Sequence, residues 1–114
     1  MRAWKRSLKT VVRNKVFSLL GLAARSRNVV SGEFATEKAV KDGKACLVII
    51  SEEASDNTKK MFQNMCSFYE VPLRLYGGKE ELGHCIGKEM RASLAVTNEG
   101  FASNIIKNLE CEDN

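Results

Sequence analysis

The residues of this chain whose types and spacing could do chemistry are a glycine and basic side chains. Gly32 opens a short helical pattern, and Lys38 follows about one and a half turns later. In a loop before the last strand pattern, Lys88 and Arg91 flank Met90. A glycine lets a partner approach the backbone, a helix start binds anions, and basic side chains neutralise phosphates. Together these groups could grip a bent RNA backbone and pack a base that is turned out of its stack.

Groups suited to catalysis or metal binding are sparse. His84 is the single histidine and has no partner motif, and the four cysteines form no CxxC pair. The adjacent carboxylates Glu52–Glu53 and Glu80–Glu81 point in different directions, unlike paired catalytic acids. The sequence contains no GxSxG, Walker or GxGxxG pattern. We therefore predict that the protein is not an enzyme and uses no metal or cofactor, and that its cysteines are small core hydrophobes.

The charge is unevenly distributed along the chain. The net charge of +4 divides into +8 for residues 1–41, with ten Lys/Arg and two Glu, and −4 for residues 42–114, with eight Lys/Arg and twelve Asp/Glu. Arg25 and Lys41 add charge near Gly32 in sequence. Such asymmetry favours a polyanionic partner, with RNA as the usual candidate. A solvated basic tail without a partner is the alternative.

Length and composition predict one domain with a modest core. The 114 residues contain no apolar run of the roughly 20 residues that cross a bilayer, and no signal-peptide pattern. We expect a cytoplasmic monomer without membrane contact. Residues 1–15 form a basic extension, either a helix or an arm that orders on RNA, residues 16–110 form the domain, and residues 111–114 form an acidic, frayed tail.

The elements that position these groups follow from hydrophobic patterning. The pattern predicts helices and strands in alternation, over residues 16–24, 28–30, 31–41, 45–50, 55–69, 71–76, 79–86, 92–96 and 98–109. The apolar run Ala45–Ile50 has no alternation, which is typical of a strand covered on both faces. The fold class is therefore α/β, a three-layer α/β/α sandwich around a mixed sheet of about four strands.

Local signals predict where the helices begin and end. We expect Ser31, Ser55 or Asp56, and Asn98 to be N-caps, because short polar side chains accept hydrogen bonds from free N–H groups. Gly43 stands where a helix end needs positive φ. The buried stripe of the third helix is predicted to contain Met61, Phe62, Met65, Cys66, Phe68 and Tyr69.

Several ordered blocks of this sequence resemble one ribosomal-protein family, which includes archaeal L7Ae, eukaryotic L30e and small bacterial relatives. The blocks are VFSLLGLAARS, VVSGEFATEKAVKDGKACLVIISEEAS, ELGHCIGKE and LAVTNEGFA, and the likeness covers about Asn14–Leu109. The resemblance implies an α/β/α sandwich that binds kink-turn RNA, a sharply bent stem with tandem sheared G·A pairs. It also implies association with the ribosome or with translation.

The resemblance further implies where RNA would bind. The family uses the start of the second helix, the loop after the following strand and the loop before the last strand. Together with the basic residues above, the candidate RNA-binding residues are Gly32, Glu33, Phe34, Thr36, Lys38, Lys41, Glu52, Lys88, Met90, Arg91 and Ala92.

This chain departs from the family pattern after the helix-starting glycine. The strongest kink-turn readers have an Asn-Glu pair where this chain has Phe34 and Ala35, while Gly32, Thr36 and Lys38 match. Losing an amide and a carboxylate removes hydrogen bonds to guanine edges, so standard kink-turn specificity should be weakened. Two alternatives remain open: a protein-interaction module in translation or ribosome assembly, and an accessory subunit for an RNA-modifying enzyme.

Overall fold

The fold is a four-stranded mixed sheet with helices on both faces. A computed structural model describes the backbone of residues 2–113 and the side chains of residues 14–110. The elements in chain order are α1 Arg2–Arg25, β1 Val29–Ser31, α2 Glu33–Lys41, β2 Leu47–Ile50, α3 Asp56–Tyr69, β3 Leu73–Leu75, α4 Lys79–Cys85, β4 Ser93–Val96 and α5 Glu99–Asp113. This order confirms the predicted α/β alternation.

The strand order in the sheet is β1-β4-β2-β3. Strand β4 runs antiparallel to β1 and to β2, with Ala95 opposite both Val30 and Val48, whereas β3 runs parallel to β2. The carboxyl ends of β1, β2 and β3 and the start of β4 therefore lie at the same edge of the sheet. The loops that leave or enter these strand ends are brought side by side.

Both faces of the central strands are buried, as the unbroken apolar run predicts. In β2, Leu47 and Ile49 face a cluster with α1, α4 and α5, whereas Val48 and Ile50 face a second cluster with α2 and α3. All four side chains are fully buried, and burial of each stabilises the fold by about 1.5–3 kcal/mol. The two clusters on opposite faces of one sheet confirm the three-layer sandwich.

Three predicted helix signals are confirmed, two by side-chain hydrogen bonds and one by backbone geometry. Ser55 is the N-cap of α3, and its Oγ accepts a hydrogen bond from the Thr58 N–H at 3.1 Å. Asn98 Oδ1 accepts from the Phe101 N–H at 3.0 Å before α5. Gly43 follows α2 with φ 74°, a conformation that most side chains disfavour.

The predicted N-cap Ser31 is wrong by one residue. Ser31 pairs with Leu94 in the ladder between β1 and β4, and Gly32 is the N-cap of α2. The Ser31 hydroxyl accepts a hydrogen bond from Arg91 Nε at 3.2 Å instead. Strand pairing extends β1 by one residue, and it takes precedence over the local capping preference of serine.

The predicted buried stripe of α3 is wrong at its carboxyl end. Phe62 and Cys66 are buried, but Phe68 is 79% exposed and Tyr69 is 41% exposed. Six residues of helix rotate Phe68 by about 240° from Phe62, which turns its ring away from the sheet. Tyr69 lies at the last helical position, just before Glu70 enters the left-handed region.

Helices α1 and α5 extend beyond the apolar patterns of residues 16–24 and 98–109. Helix α1 begins at Arg2, so residues 2–15 take the helical form, which was one of the two alternatives for this segment. Helix α5 includes the acidic tail that was predicted to be frayed, as far as Asp113.

Candidate functional site

Four backbone segments meet at the sheet edge where β1, β2 and β3 end. We call this surface the loop edge; its segments are Gly32–Glu33, Ser51–Glu53, Gly77–Lys79 and Lys88–Ala92. The Gly32 N–H donates to Ser93 O at 3.0 Å, and the Ser51 N–H donates to Ala92 O at 2.9 Å. These bonds place the three segments predicted from the sequence next to one another.

Arg91 ties the last of these segments to the start of α2. Its Nε donates to Ser31 Oγ at 3.2 Å and its Nη1 donates to Met90 O at 2.9 Å. Its backbone N–H donates to Lys79 O at 3.0 Å. A guanidinium has five N–H donors, so further donors remain for an external acceptor. Arg91 is half-buried, which leaves part of its side chain open to solvent.

The backbone at the start of α2 is open to approach. Gly32 has φ 93° and ψ 157°, and a Cβ built there would contact nothing within 4 Å. The conformation therefore selects glycine, while the space beside it is free. Glu33, in the first turn, is exposed. The free N–H groups of this turn and the helix dipole favour an anionic group at this position.

The side chains of α2 divide between the surface and the core. Phe34 is 81% exposed, and Lys38 is exposed and forms no ion pair with any side chain that the structure describes. Thr36, by contrast, is fully buried, and its Oγ1 has no hydrogen-bond partner among the described residues. The resemblance placed Thr36 among the RNA contacts, but its side chain lies in the core and not on the surface of α2.

Lys41 is not brought to the loop edge. It lies in the last turn of α2, about 13 Å along the helix from Gly32. Its Nζ forms an ion pair with Glu37 Oε1 at 2.8 Å. The hydrogen bond to Glu37 and the charge of that carboxylate raise the pKa of Lys41, and the charge of Tyr69 shifts it in the same direction.

The remaining predicted residues lie in the loops of the loop edge. Glu52 and Lys88 are exposed, and Ala92 is half-buried against the cluster beneath α2 and α3. Met90 is 55% exposed. It lines a surface cavity of about 320 Å³ together with Glu53, Gly78, Glu80 and Glu81. An exposed apolar side chain on a polar surface is suited to packing against a base or an apolar partner group.

Carboxylates share the loop edge with the basic side chains. Glu53 Oε1 accepts from the Lys79 N–H at 2.8 Å, and Glu81 Oε1 accepts from the Gly78 N–H at 2.9 Å. The first bond holds the turn before α4 against the loop after β2, and the second caps the start of α4. The edge thus combines cations, hydrogen-bond acceptors and apolar side chains, a mixture that suits groove and base contacts as well as phosphates.

The candidate residues predicted from the sequence did not include Gly77–Lys79. The Glu52 N–H donates to Gly77 O at 2.9 Å, so this turn is part of the loop edge. The available signal was the strand–helix–strand order through α3, which favours a parallel pair whose carboxyl ends meet.

Titratable groups elsewhere in the described part of the chain were compared as possible metal ligands and nucleophiles. Within the described residues, no group of three or more His, Cys, Asp or Glu side chains could hold a metal ion. Burial raises the pKa of the Cys66 thiol to about 11, and burial also raises that of Cys85 to about 11. Both thiols are neutral at pH 7 and unsuited to nucleophilic chemistry.

No helix in the described part of the chain is long and apolar enough to cross a membrane.

Comparison with known proteins gives consistent matches over most of the chain. The model of the ribosomal protein L7Ae/L30e/S12e/Gadd45 family matches residues 14–106. The RNA-binding protein YlxQ of Bacillus subtilis is 45% identical over 94 residues, which are 82% of this chain and 94% of YlxQ. The large ribosomal subunit protein eL30 of Tetrahymena thermophila is 30% identical over 101 residues, covering 88% of this chain and 97% of that protein.

A solved structure supports the same fold. A protein from Bacillus halodurans C, 38% identical in sequence, superposes with a TM-score of 0.82. The superposition covers 84% of this chain and 97% of that one.

Proposed function

The chain belongs to the ribosomal protein L7Ae/L30e/S12e/Gadd45 family, and we propose that it is a non-enzymatic protein that binds structured RNA through the loop edge. The observation that carries this proposal is the bridge from Arg91 to Ser31, which joins a basic loop to an open, glycine-started helix. The relative YlxQ is an RNA-binding protein, which supports the same conclusion.

Phosphate groups of the RNA would be held by Lys38, Lys88 and Arg91. Lys38 in α2 and Lys88 in the loop before β4 are both exposed, so their ammonium groups are open to phosphates near the free N–H groups of the first turn of α2. Arg91 is already oriented by two hydrogen bonds, so less side-chain entropy is lost when its remaining donors bind a phosphate. Close approach of the RNA backbone at Gly32 uses the space that a side chain would otherwise occupy.

Bases would be contacted by apolar and acceptor groups. Phe34, in the first turn of α2, and Met90, in the loop before β4, are both exposed, and each could pack against an unstacked base. Glu33 and Glu52 are exposed and can accept hydrogen bonds from base amino groups. Thr36 would act only from beneath, by packing α2 onto the core.

We propose kink-turn or related bent RNA as the target, with relaxed discrimination. Phe34 and Ala35 replace an amide and a carboxylate, and each good bidentate contact to a base contributes about 1–3 kcal/mol of specificity. We further propose that the protein acts in the cytoplasm, as a monomer, on ribosomal RNA. The similarity to the large ribosomal subunit protein eL30 supports ribosomal RNA as the target.

Phe34 also favours a second candidate function, a protein-interaction module in translation or ribosome assembly. A phenylalanine ring that is 81% exposed is an anchor that a protein partner could bury. This alternative predicts that RNA affinity is low and insensitive to salt.

The test is a titration against a kink-turn RNA and against the same RNA with its G·A pairs disrupted. The wild-type protein should bind both, with a modest preference for the intact kink. Phe34→Asn combined with Ala35→Glu should tighten binding to the intact kink by about tenfold, because it restores one or more base contacts. Failure of the wild type to bind either RNA at low salt would overturn the proposed function. Sharp discrimination by the wild type, unchanged in the double variant, would disprove only the argument about the missing pair.

A further inference from the structure

Three aromatic rings lie exposed on the outer face of the α2–α3 layer. Phe34 is in α2, and Phe68 and Tyr69 are at the carboxyl end of α3. Large apolar side chains that are left exposed are informative, because burial is their ordinary state. Of the three rings, only Phe34 takes part in the RNA contacts proposed for the loop edge. Phe68 and Tyr69 take part in none of them.

Phe34 begins a stripe of side chains along α2. Lys38 and Lys41 follow at i+4 and i+7, so the three side chains share one face of the helix. They line one surface cavity of about 260 Å³ together with Glu37 and Asp42. The stripe covers about 10 Å from Phe34 to Lys41 and leads away from the loop edge.

The stripe continues from α2 onto α3. Helices α2 and α3 pack in one cluster and both run back from the carboxyl ends of parallel strands, so Lys41 and Tyr69, at their last turns, lie at the same end of the layer. The charge of Tyr69 also contributes, after that of Glu37, to raising the pKa of Lys41. The rings of Tyr69 and Phe68 are in edge contact, with centroids 5.0 Å apart and planes at 80°. We call the row Phe34, Lys38, Lys41, Tyr69 and Phe68 the aromatic–lysine track.

We propose that the aromatic–lysine track binds a single-stranded continuation of the RNA whose structured part occupies the loop edge, so this inference rests on the proposed function. Bases stack on Phe34 at one end and on Tyr69 and Phe68 at the other. The phosphates between them lie over Lys38 and Lys41. Alternation of aromatic rings with cations is the general means by which proteins hold single strands, because every base has a face that can stack.

The lysines favour RNA over a protein partner on this track. Lys38 has no ion pair with any described side chain, and lysine is depleted in the cores of protein–protein interfaces. Lys41 is paired with Glu37, but an exposed ion pair of this kind is weak and can give way to a phosphate. The track also starts two residues after Gly32, at the loop edge itself, so one RNA can occupy both surfaces.

The test compares RNAs that share one kink-turn stem. One RNA is blunt, and two others carry a single-stranded extension of about six uridines, at the 5′ or at the 3′ end, a length within the usual range for one single-strand site. The full-length wild-type protein should bind one extended RNA about fivefold or more tighter than the blunt RNA, which corresponds to stacking of about one base. A 4-thiouridine in that extension should cross-link to the peptide that contains Phe68 and Tyr69.

Substitutions separate the track from the loop edge. Phe68→Ala and Tyr69→Ala should each bring the ratio of the affinities for extended and blunt RNA close to one. Affinity for the blunt RNA should stay unchanged. Tyr69→Phe retains a ring and should retain the advantage. Leu22→Ala is the matched control, since Leu22 is an exposed apolar side chain on α1 and should affect neither RNA. Thermal melts of each variant confirm that the fold is intact.

The outcomes distinguish this inference from the function on which it rests. If the wild type binds blunt and extended RNA with equal affinity, the aromatic–lysine track does not bind RNA, and the proposed RNA binding at the loop edge is unaffected. Absence of binding to every RNA overturns both. An extension effect that survives Phe68→Ala and Tyr69→Ala also overturns the track, because the extension would then be bound elsewhere.

Discussion

At the level of single residues, Gly32 and Thr36 set what α2 can present to a ligand. The Gly32 backbone lies in a region that only glycine enters without a cost of about 1–3 kcal/mol. One turn later, Thr36 is fully buried and anchors the helix against the core. Side-chain contacts to a ligand must therefore come from the outward positions of α2, of which Lys38 carries an unpaired charge among the described side chains.

Lys38→Ala should weaken binding to a structured RNA by roughly 1–2 kcal/mol, the contribution of one charge-assisted hydrogen bond. Stability should change little, because Lys38 is exposed and alanine is favourable in a helix. The measurement is a titration at one salt concentration, with thermal melts alongside.

Lys107→Ala is the matched control, since Lys107 is an exposed lysine on α5 and away from the loop edge. It should leave affinity nearly unchanged. Equal losses for the two lysines would mean that only overall charge matters, and Lys38 would lose its assigned role.

At the level of secondary structure, α4 and the loop after it determine the position of Met90 and Arg91. A Cβ on Gly83 would lie 1.3 Å from the Glu89 carbonyl oxygen, a separation that no side chain can occupy. The Lys88 N–H donates to Gly83 O at 2.8 Å, which fastens the returning loop to the helix. The basic loop is thus held by backbone contact with α4.

Gly83→Ala should force the Glu89 backbone away from α4. We expect a loss of about 1–3 kcal/mol or more of the free energy of unfolding, as for other overpacked positions. RNA affinity should also fall, because Arg91 would lose its alignment with Ser31. Denaturant titration and RNA titration of the same sample measure the two effects.

Gly100→Ala provides the comparison for this change. Gly100 is in the first turn of α5, where a Cβ would meet only the Asn98 side-chain oxygen at 3.2 Å. Because the Asn98 oxygen also caps α5 and would have to shift slightly, stability should fall, but by less than in Gly83→Ala, and RNA affinity should stay close to that of the wild type. If the two glycine variants behave alike, the close contact between α4 and its loop does not position Arg91.

At the level of the whole molecule, positive charge is concentrated in residues 1–41 and not at the loop edge alone. The loop edge mixes lysines and an arginine with several carboxylates, whereas residues 1–41 as a whole carry a balance of +8. Six of these positive charges lie in residues 1–15, the amino-terminal part of α1. Long-range attraction of RNA should therefore depend on α1, and the loop edge should provide the contacts that discriminate.

RNA affinity should consequently fall by about tenfold or more between about 50 mM and about 200 mM salt. Replacing Lys5, Arg6 and Lys9 together by Gln should reduce the salt slope by up to about three, roughly one for each phosphate that is no longer neutralised. The measurement is a series of RNA titrations at increasing salt for the wild type and this variant.

A second triple variant keeps the number of removed charges the same. Replacing Lys59, Lys60 and Lys107 by Gln takes three charges from residues 42–114 and should leave the slope nearly unchanged. A flat salt response in the wild type would support the protein-interaction alternative instead.

The sequence by itself determined the features that depend on near neighbours in the chain. Helical and apolar periods identified every helix and strand, and the caps Ser55 and Asn98 and the helix-ending Gly43 were correctly placed. The glycine–lysine spacing and the family blocks also pointed to the start of α2. These features are local because a cap, a turn or a helical face involves residues only a few positions apart.

Only the tertiary structure decided which of these residues share a surface. It paired Ser31 with Leu94, and through that register it brought Arg91 to the start of α2. It also left Phe68 exposed, although the predicted stripe of α3 placed it in the core, and it buried Thr36, which the family resemblance had placed among the RNA contacts. The physical reason is that strand order and register are selected by contacts between residues far apart in the chain, which no local period encodes.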